Sequence, residues 1–278
     1  MPEGDTLYRT AMVLREVLAG RQVEGARGRP GGAQLERVVG SRVNSVDAQG
    51  KHLLIRFDNG LTLHTHLRMN GSWHRYRPGE PWKRSASRAV AVLEVADAVA
   101  VCFDAPVVEL METRAETIHP TLQALGPDLL AEEPDLDEVV RRLSDPTTNA
   151  TPIGEALLDQ RRLAGLGNVY RSEVLFLERI SPFVPVRELS DEQVRALVLT
   201  GERLLRANVG GPARVTVPGP LGEVGNTGAG ARARRRGRLW VYGRAGRPCQ
   251  RCGTRIRTRV FGELPRRVFW CPSCQPES

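Results

Sequence analysis

The chain has 278 residues, of which 41% are hydrophobic, enough for one large domain or two of ordinary size that fold without covalent staples. It has no apolar run of about 18 residues that would span a bilayer, and the opening Met1-Pro2-Glu3-Gly4-Asp5 is too polar for a signal peptide, so we expect a cytosolic protein with no membrane partner. The formal net charge of +8 is uneven: residues 207–278 hold 14 Arg against three acidic residues, a balance of +11, which leaves −3 for residues 1–206.

The basic C-terminal part and the scarcity of lysine are the two unusual features of the composition. A concentration of Arg suits a polyanionic partner, because neutralising phosphates releases condensed counterions. A solvated tail in an Arg-rich protein explains the charge equally well at this point. Only Lys51 and Lys83 occur among the 40 basic residues. A retained lysine indicates a position that needs a compact ammonium group, which the planar guanidinium does not imitate.

The first half of the chain has a helical pattern followed by strand patterns. Residues 5–18 place Leu7, Ala11, Leu14 and Leu18 at helical spacing, and Gly20 follows as a stop. Asn59-Gly60 is a strong hairpin signal, and Asp97-Ala98 predicts a second turn. The predicted strands are residues 51–57, 61–67, 89–95 and 99–103. We infer an antiparallel β-sandwich or barrel.

The second half of the chain begins with helical periods. Gly126-Pro127 and the acidic stretch that follows put a domain boundary near residue 130. Ser190 and Gln193 have the spacing of a capping box at the start of the last predicted helix. Residues 209–237 contain eight Gly and end in an Arg cluster, which predicts a flexible basic loop. The predicted helices are residues 136–143, 153–161, 169–177 and 191–206.

Four cysteines near the C-terminus form the strongest signal in the sequence. Two C-x2-C pairs, separated by eighteen residues, have the spacing of a tetrahedral site for one structural Zn²⁺ ion: Cys249, Cys252, Cys271 and Cys274. Disulfides are the alternative, which a reducing compartment disfavours. The residues between the pairs suit a β-hairpin with Arg at its tip, which the metal would stabilise. Cys102 stands in an apolar strand and is predicted to be a buried small hydrophobic residue.

A glycine-rich turn joins two of the predicted helices. In Gly165-Leu166-Gly167-Asn168 the glycines permit positive φ, Asn168 can cap the second helix, and the first-turn amides can face an anion. Phosphate binding is one reading of this segment. A purely structural turn between helices is the other, and these residues alone favour it.

Taken in order along the chain, these segments resemble the formamidopyrimidine-DNA glycosylase and endonuclease VIII family. The resemblance spans the whole chain, and the opening and residues 64–73 look closest to the endonuclease VIII branch of actinobacteria. It rests on the opening Met1-Pro2-Glu3-Gly4, on Gly50-Lys51-His52, on residues 66–73, on the Asn168 turn, on Val241-Tyr242-Gly243-Arg244 and on the cysteines.

This resemblance implies an α+β fold of two domains. The N-terminal domain would be an antiparallel β-sandwich with a leading helix, and the C-terminal domain a helical helix-two-turn-helix domain with a zinc-finger β-hairpin. The implied boundaries are residues 1–125 for the first domain, 131–208 for the helical part, 209–238 for the loop and 239–278 for the zinc finger.

The resemblance also implies base excision repair of damaged DNA by a monomeric glycosylase with lyase activity. Methionine is normally removed before proline, which would leave Pro2 as a secondary amine with a pKa of about 8 and an appreciable neutral fraction. Attack on C1′ would expel the base, and the resulting iminium would permit β,δ-elimination. Glu3 would transfer protons. Lys51 would contact the phosphate beside the lesion.

Three further residues match DNA contacts of the family. Asn168 and Arg266, with Arg267 as the neighbour that could substitute, resemble phosphate clamps. Met69 matches the position that fills the stack left by a flipped base, although a buried strand methionine fits the pattern almost as well. The Arg and Phe wedge of members specialised for oxidised guanine is missing from residues 103–109. We therefore expect oxidised pyrimidines and abasic sites as substrates.

Two other functions compete with this one. The chain could be a damaged or abasic DNA-binding protein with lyase activity but weak or no glycosylase activity. It could also be an RNA-binding or ribosome-associated zinc protein. Pro2, Glu3 and Lys51 discriminate among these, because binding alone needs no free amine at the terminus.

Overall fold

The computed structural model describes residues 2–211, 213–218, 238–263 and 265–276. The chain divides into two compact units, Met1–Ala124 and Leu125–Ser278. Within the described ranges, every helix is too short or too polar to cross a bilayer.

The first unit contains the predicted leading helix and eight strands. Its turn between residues 95 and 98 differs by one position from the prediction, because Val95 pairs with Ala98 and leaves Ala96-Asp97 as the turn. The elements are α1 (Gly4–Leu18), β1 (Gly25–Gly28), β2 (Val43–Gln49), β3 (His52–Phe57), β4 (Leu61–His66), β5 (Ser72–Tyr76), β6 (Ala89–Val95), β7 (Ala98–Phe103), β8 (Val107–Glu112) and the short α2 (Pro120–Gln123). Of the eight strands, β3, β4, β6 and β7 were predicted and β1, β2, β5 and β8 were not.

The strands form two antiparallel sheets with the orders β1-β6-β7-β5 and β2-β3-β4-β8. Apolar side chains of both sheets and of α1 share one core, which includes Leu7, Leu14, Leu53 and Leu93. This arrangement is the β-sandwich expected from the sequence. Three short 3₁₀ helices complete the unit at Leu35–Val38, Ala86–Arg88 and Thr113–Ile118.

Strand β7 is buried on both faces, which explains its continuous apolar sequence. Ala100 and Cys102 face the main core, whereas Val101 and Phe103 join a second cluster that Trp82 covers. Cys102 is fully buried, and burial raises the pKa of its thiol. The prediction that it behaves as a small hydrophobic residue is confirmed.

The second unit contains helices followed by a β-hairpin. The predicted capping box is present, since the Ser190 hydroxyl accepts from the Gln193 N–H at 3.3 Å and the Gln193 side-chain oxygen Oε1 accepts from the Ser190 N–H at 2.9 Å. The elements are α3 (Leu136–Leu143), α4 (Ile153–Ala156), α5 (Asn168–Leu177), α6 (Asp191–Val209), β9 (Arg257–Phe261) and β10 (Arg266–Trp270), with a 3₁₀ turn at Val186–Glu188.

The helix predicted over residues 153–161 ends at Ala156, so its second half was wrong. Asp159 and Gln160 explain the early end, because their side chains bond to nearby backbone groups. The Asp159 carboxylate accepts from the Arg161 N–H at 3.0 Å, and the Gln160 amide donates to the Leu158 carbonyl oxygen at 2.9 Å. Such local bonds compete with the helical hydrogen bonds.

Most of the predicted basic loop, residues 219–237, lies outside the described residues. Its described beginning is held in place by hydrogen bonds. The Val215 N–H donates to the Asn208 side chain at 2.7 Å, and the Thr216 N–H donates to the Arg238 carbonyl oxygen at 2.8 Å.

Candidate active site and metal centre

The N-terminal residues stand at the beginning of α1. Pro2 is half-buried, and Glu3 is fully buried at the N-cap position, where its carbonyl oxygen accepts from the Thr6 N–H at 2.9 Å. Asp5, in the first turn, is buried as well. The positive end of the helix dipole stabilises both carboxylates. The fold therefore keeps two acidic groups next to the proposed nucleophile.

Helix α1 runs antiparallel to β2, and this sets the position of its N-terminus. The Gly20 N–H donates to the Val43 carbonyl oxygen at 2.8 Å, and the Arg15 guanidinium donates to the Val46 carbonyl oxygen at 2.6 Å. From Arg15 back to Glu3 the helix spans about 18 Å. From Val46 forward to Lys51 the strand spans about 17 Å. The beginning of α1 and the end of β2 therefore lie at the same end of the first unit.

Lys51 lies in the tight turn at that end. Gln49 pairs with His52, so Gly50 and Lys51 form a two-residue hairpin turn between β2 and β3. Gly50 has a φ of +56°, the left-handed conformation that such turns require. Lys51 therefore lies at the end of the sheet, and its side chain is half-buried.

The turn after β4 lies beside the Lys51 turn, because His52 pairs with His66 across β3 and β4. Arg68 follows with a φ of +48°, and its N–H donates to His66 Nδ1 at 3.1 Å. Gly71 closes the turn. A Cβ there would stand 2.6 Å from the Leu67 carbonyl oxygen, so only glycine fits.

Met69 is 51% exposed in this turn, although it is a large apolar residue. The alternative of a methionine buried in a strand was therefore wrong. An exposed apolar side chain on a tight turn can enter a base stack.

The histidines and cations of this edge influence one another. Burial, together with the positive charges of Arg68 and Lys51, lowers the pKa of His66 to about 4. Burial likewise lowers the pKa of His52 to about 2. Both imidazoles are therefore neutral near pH 7, and the positive charge of the edge belongs to Lys51 and Arg68, which suits an approaching phosphate.

Sequence reasoning missed that four of the five histidines lie together: His52, His64 and His66 on this sheet, and His119 beside it at the N-cap of α2. His52 Nδ1 lies 2.8 Å from His64 Nε2, and His64 Nδ1 lies 3.0 Å from the Glu109 carboxylate. His119 Nε2 lies 3.2 Å from the same carboxylate oxygen. The only signal in the sequence was His64-Thr65-His66, two histidines on one face of β4.

The Asn168 turn in the second unit is built as its glycines predict, but Asn168 does not cap the helix. Gly165 has a φ of +96°, and Gln160 fixes the turn by donating to the Leu166 carbonyl oxygen at 3.0 Å. Gly167 is the N-cap residue, so the predicted cap was wrong. The Asn168 amide instead donates to the Arg267 carbonyl oxygen at 3.1 Å, and its oxygen accepts from Arg171.

The β9–β10 hairpin is docked against the helices of the same unit. The Glu263 N–H at its tip donates to the Glu155 carboxylate at 2.8 Å, and the Phe183 ring packs edge-on against Phe261 and Trp270. The side chains of Arg266 and Arg267 remain exposed at the start of β10. The Asn168 contact therefore brings the two predicted phosphate contacts into one region of the second unit.

The four cysteine sulfurs have the geometry of a metal site. Cys249 Sγ lies 3.9 Å from Cys274 Sγ, and Cys252 Sγ lies 3.5 Å from Cys271 Sγ. A tetrahedral Zn²⁺ with Zn–S bonds of about 2.3 Å requires sulfurs about 3.8 Å apart, whereas a disulfide requires about 2.05 Å. The residues fit a metal and exclude disulfides.

Glu173 is an anchor that sequence reasoning also missed. Its carboxylate is fully buried and accepts from the N–H groups of Trp240, Val241 and Tyr242 at 2.7, 2.9 and 2.8 Å, and from the Thr216 hydroxyl. Burial raises its pKa, and the hydrogen bonds oppose that rise. Glu173 thus ties α5 to the segment that leads into the cysteine hairpin.

Family comparisons match both units. A model described as the formamidopyrimidine-DNA glycosylase N-terminal domain matches residues 1–106, and one described as the formamidopyrimidine-DNA glycosylase H2TH domain matches residues 125–216. A Streptomyces coelicolor protein named "Probable endonuclease 8 2" is 40% identical over 99% of this chain and 94% of its own length. A Mycolicibacterium smegmatis protein named "DNA-(apurinic or apyrimidinic site) lyase Nei2" is 37% identical over 100% of both chains.

Solved structures have the same fold. The MutM (Fpg) protein of Thermus thermophilus has a TM-score of 0.78 and 30% identity over 100% of both chains. The Lactococcus lactis formamidopyrimidine-DNA glycosylase, solved non-covalently bound to DNA that contains an AP site, has a TM-score of 0.80 and 23% identity, and the match covers 99% of this chain and 100% of that one.

Proposed function

Because this chain belongs to the formamidopyrimidine-DNA glycosylase and endonuclease VIII family, we propose that it is a base excision repair enzyme with glycosylase and AP lyase activities. The observation that supports the proposal is that the beginning of α1, with Pro2 and Glu3, the Lys51 turn and the Arg68–Met69 turn lie at the same end of the first unit. These residues offer a nucleophile, an acid, a cation and an apolar side chain, which are the groups needed to react with a flipped nucleotide, to bind its phosphate and to fill its place in the stack.

The reaction begins at the amine of Pro2 once methionine is removed. The amine attacks C1′ of the damaged nucleotide, the glycosidic bond breaks, and the base leaves with its bonding electron pair. The amine proton is lost, the C1′–O4′ bond then breaks with protonation of O4′, and the opened sugar carries an iminium between C1′ and the nitrogen of Pro2. Because it is formed from a secondary amine, this iminium keeps its positive charge and withdraws electrons from C2′. Loss of a C2′ proton then expels the 3′ phosphate, and a second elimination expels the 5′ phosphate. Buried Glu3 supplies and receives protons beside the nucleophile.

The binding residues act on the DNA backbone and on the stack. Lys51 contacts the phosphate beside the lesion, and exposed Met69 fills the space left by the flipped base. In the second unit, Asn168 and exposed Arg266 hold phosphates. Asn168 is only 7% exposed and already donates to Arg267, so its phosphate contact requires the amide to exchange that partner.

The substrates are oxidised pyrimidines and abasic sites. Family members specialised for oxidised guanine carry an Arg and Phe wedge in the stretch that corresponds to residues 103–109. In this chain Asp104 binds Arg84 and Arg88 at 2.6 and 2.7 Å, and Val107 and Val108 follow in β8. These residues offer no long side chain to read the opposite base. The alternative is a lyase with weak glycosylase activity, which the name of the Mycolicibacterium relative favours.

The four cysteines hold one structural Zn²⁺, which keeps the hairpin and therefore Arg266 in position. When bound, the ion supplies folding energy and no chemistry of its own. The protein acts as a monomer in the bacterial cytoplasm and reaches the nucleoid by binding damaged DNA.

Borohydride trapping tests the proposal. Protein that begins with Pro2 should form a covalent adduct with duplexes that contain an abasic site or thymine glycol. The same protein with one extra residue before Pro2 should form none, because its amine has become an amide. Lys51→Gln should slow trapping, and Lys83→Gln, which changes the only other lysine, should not.

The outcomes separate the two candidate functions. Adducts with both duplexes support a bifunctional glycosylase, and an adduct with the abasic duplex alone supports the lyase. If authentic Pro2 protein gives no adduct with either duplex, the enzyme hypothesis fails.

A further inference from the structure

Three residues of the first unit form a second cluster of metal-ligating atoms, which the proposed repair function does not use. His64 on β4 stands directly opposite Glu109 on β8. His119 lies at the N-cap of α2, after the 3₁₀ helix Thr113–Ile118. One nitrogen of each imidazole and one carboxylate oxygen lie within 4.8 Å of one another.

The distances in this cluster are close to those of a first coordination sphere. His64 Nδ1 and His119 Nε2 lie 3.0 and 3.2 Å from the same oxygen of Glu109. Bonds of about 2.1 Å from Zn²⁺ to nitrogen and oxygen at tetrahedral angles separate ligand atoms by about 3.4 Å. Each nitrogen–oxygen pair therefore needs to open by only a few tenths of an ångström to accept an ion, and all three ligand atoms already lie within 4.8 Å of one another. The two imidazole rings, 74° apart, both direct a nitrogen to the carboxylate.

His52 supplies the outer partner that metal-bound histidines usually have. With an ion on Nδ1, the remaining proton of His64 lies on Nε2 and is donated to His52 Nδ1, 2.8 Å away. Such a bond fixes the tautomer and the ring orientation of the ligand. Without an ion the protons shift the other way, and His64 Nδ1 donates to Glu109. Both arrangements satisfy every nitrogen between His52 and Glu109.

The burial of the cluster is that of a site with one open position. The side chain of His64 is 2% exposed, that of His119 is 21% exposed and that of Glu109 is 49% exposed. The inner wall of the site is therefore rigid and dry, whereas the outer side admits water to a fourth position. Two histidines and one glutamate with an open position form a known ligand set for Zn²⁺.

We propose that His64, Glu109 and His119 bind one divalent transition-metal ion, with Zn²⁺ as the ion that fits best. Nitrogen and carboxylate ligands distinguish this site from the four cysteines, whose thiolates prefer softer ions. Glu109 cancels one of the two positive charges of the ion, and the remaining charge faces water. The site is independent of the chemistry at Pro2, so repair activity neither supports nor contradicts it.

Zinc titration of the full chain, with its cysteine site already loaded, tests the proposal. Calorimetry and metal analysis should find one further equivalent of Zn²⁺. His119→Asn is the sharpest variant, because Asn keeps an acceptor for the Leu122 N–H at the N-cap and removes Nε2. Glu109→Gln removes the anionic ligand from an exposed position. Each substitution should weaken binding of the second Zn²⁺ at least about tenfold. Loss of a residue that only hydrogen-bonds to a metal ligand already costs about that much, and these two residues are ligands themselves.

His74→Gln is the matched control, because His74 lies on β5 in the other sheet and bonds to Ser72 and Tyr76 instead. It should bind the further equivalent as the unaltered protein does. Co²⁺ bound at this site should lack the intense thiolate charge-transfer bands of a four-cysteine site. The proposal is overturned if only the cysteine equivalent is found, or if both His119→Asn and Glu109→Gln bind the further equivalent like His74→Gln.

Discussion

Glu173→Gln should release the segment that leads into the cysteine hairpin. In the native protein each carboxylate oxygen accepts two donors, Oε1 from Val241 and Tyr242 and Oε2 from Trp240 and Thr216. An amide retains one acceptor oxygen and places an NH₂ group against the other two donors. The substitution therefore removes two hydrogen bonds to a buried charge and creates a contact between donors.

The expected cost follows from those bonds. Hydrogen bonds to charged groups contribute about 1.5–3 kcal/mol each, so two of them amount to at least about 3 kcal/mol. Removing the buried charge offsets part of any larger cost, because the carboxylate is difficult to desolvate. A cost of about 3 kcal/mol corresponds to a factor of about 100 in the opening equilibrium of the segment.

Amide hydrogen exchange measures this opening directly. The amides of Trp240, Val241 and Tyr242 should exchange about 100-fold faster in Glu173→Gln, whereas amides in the middle of α6 should keep their rates. Glu178→Gln is the matched control, since Glu178 ends the same helix and accepts one hydroxyl, from Thr200 at 2.6 Å. Unchanged exchange of the three amides in Glu173→Gln would refute the assigned role of the carboxylate.

Three further perturbations test other parts of the molecule. Cys249→Ser should release the bound zinc and weaken DNA binding, measured by metal analysis and a binding isotherm; unchanged metal content contradicts the four-cysteine site. Arg266→Ala should weaken DNA binding equally for all sequences, and the slope of the logarithm of the binding constant against the logarithm of the salt concentration should fall by about one phosphate contact. An unaltered slope argues against a phosphate contact at Arg266. The lowered pKa values of His52 and His66, about 2 and about 4, lie below the usual 6.5, so the unfolded chain binds more protons in acid. The first unit should keep its full stability above about pH 6.5 and lose up to about 2.7 kcal/mol per pH unit below it, until His66 titrates near pH 4. Equal urea midpoints at about pH 7 and about pH 5 contradict this.

Local patterns in the sequence were sufficient for most elements and for the metal centre. Helical spacing predicted α1, α3, α5 and α6, and a capping box predicted where α6 begins. The two C-x2-C pairs predicted a four-sulfur site because each pair needs only one tight turn to direct both thiolates to a point. These features depend on residues a few positions apart, whose geometry the backbone itself determines.

The roles of single side chains depended on partners far away in the chain. Asn168 reads as a helix cap, but its amide bonds to the backbone of Arg267, 99 positions on. Nothing in the local sequence distinguishes Glu173, yet its carboxylate anchors residues 240–242. No local period encodes such pairings. They arise when packed elements bring a buried polar group next to unsatisfied backbone groups, which must be paired to avoid the cost of desolvation.

The sequence by itself determined the family, the β-rich and helical halves, and the chemistry available at Pro2, Glu3, Lys51 and the cysteines, because these follow from residue type and short spacing. Only the tertiary structure decided that α1 runs back along β2 toward Lys51, and that His64, Glu109 and His119 share one point. Strand pairing and helix packing set those distances. They bring together residues such as Arg15 and Val46, 31 positions apart, and His64 and Glu109, 45 positions apart, only after the core has formed.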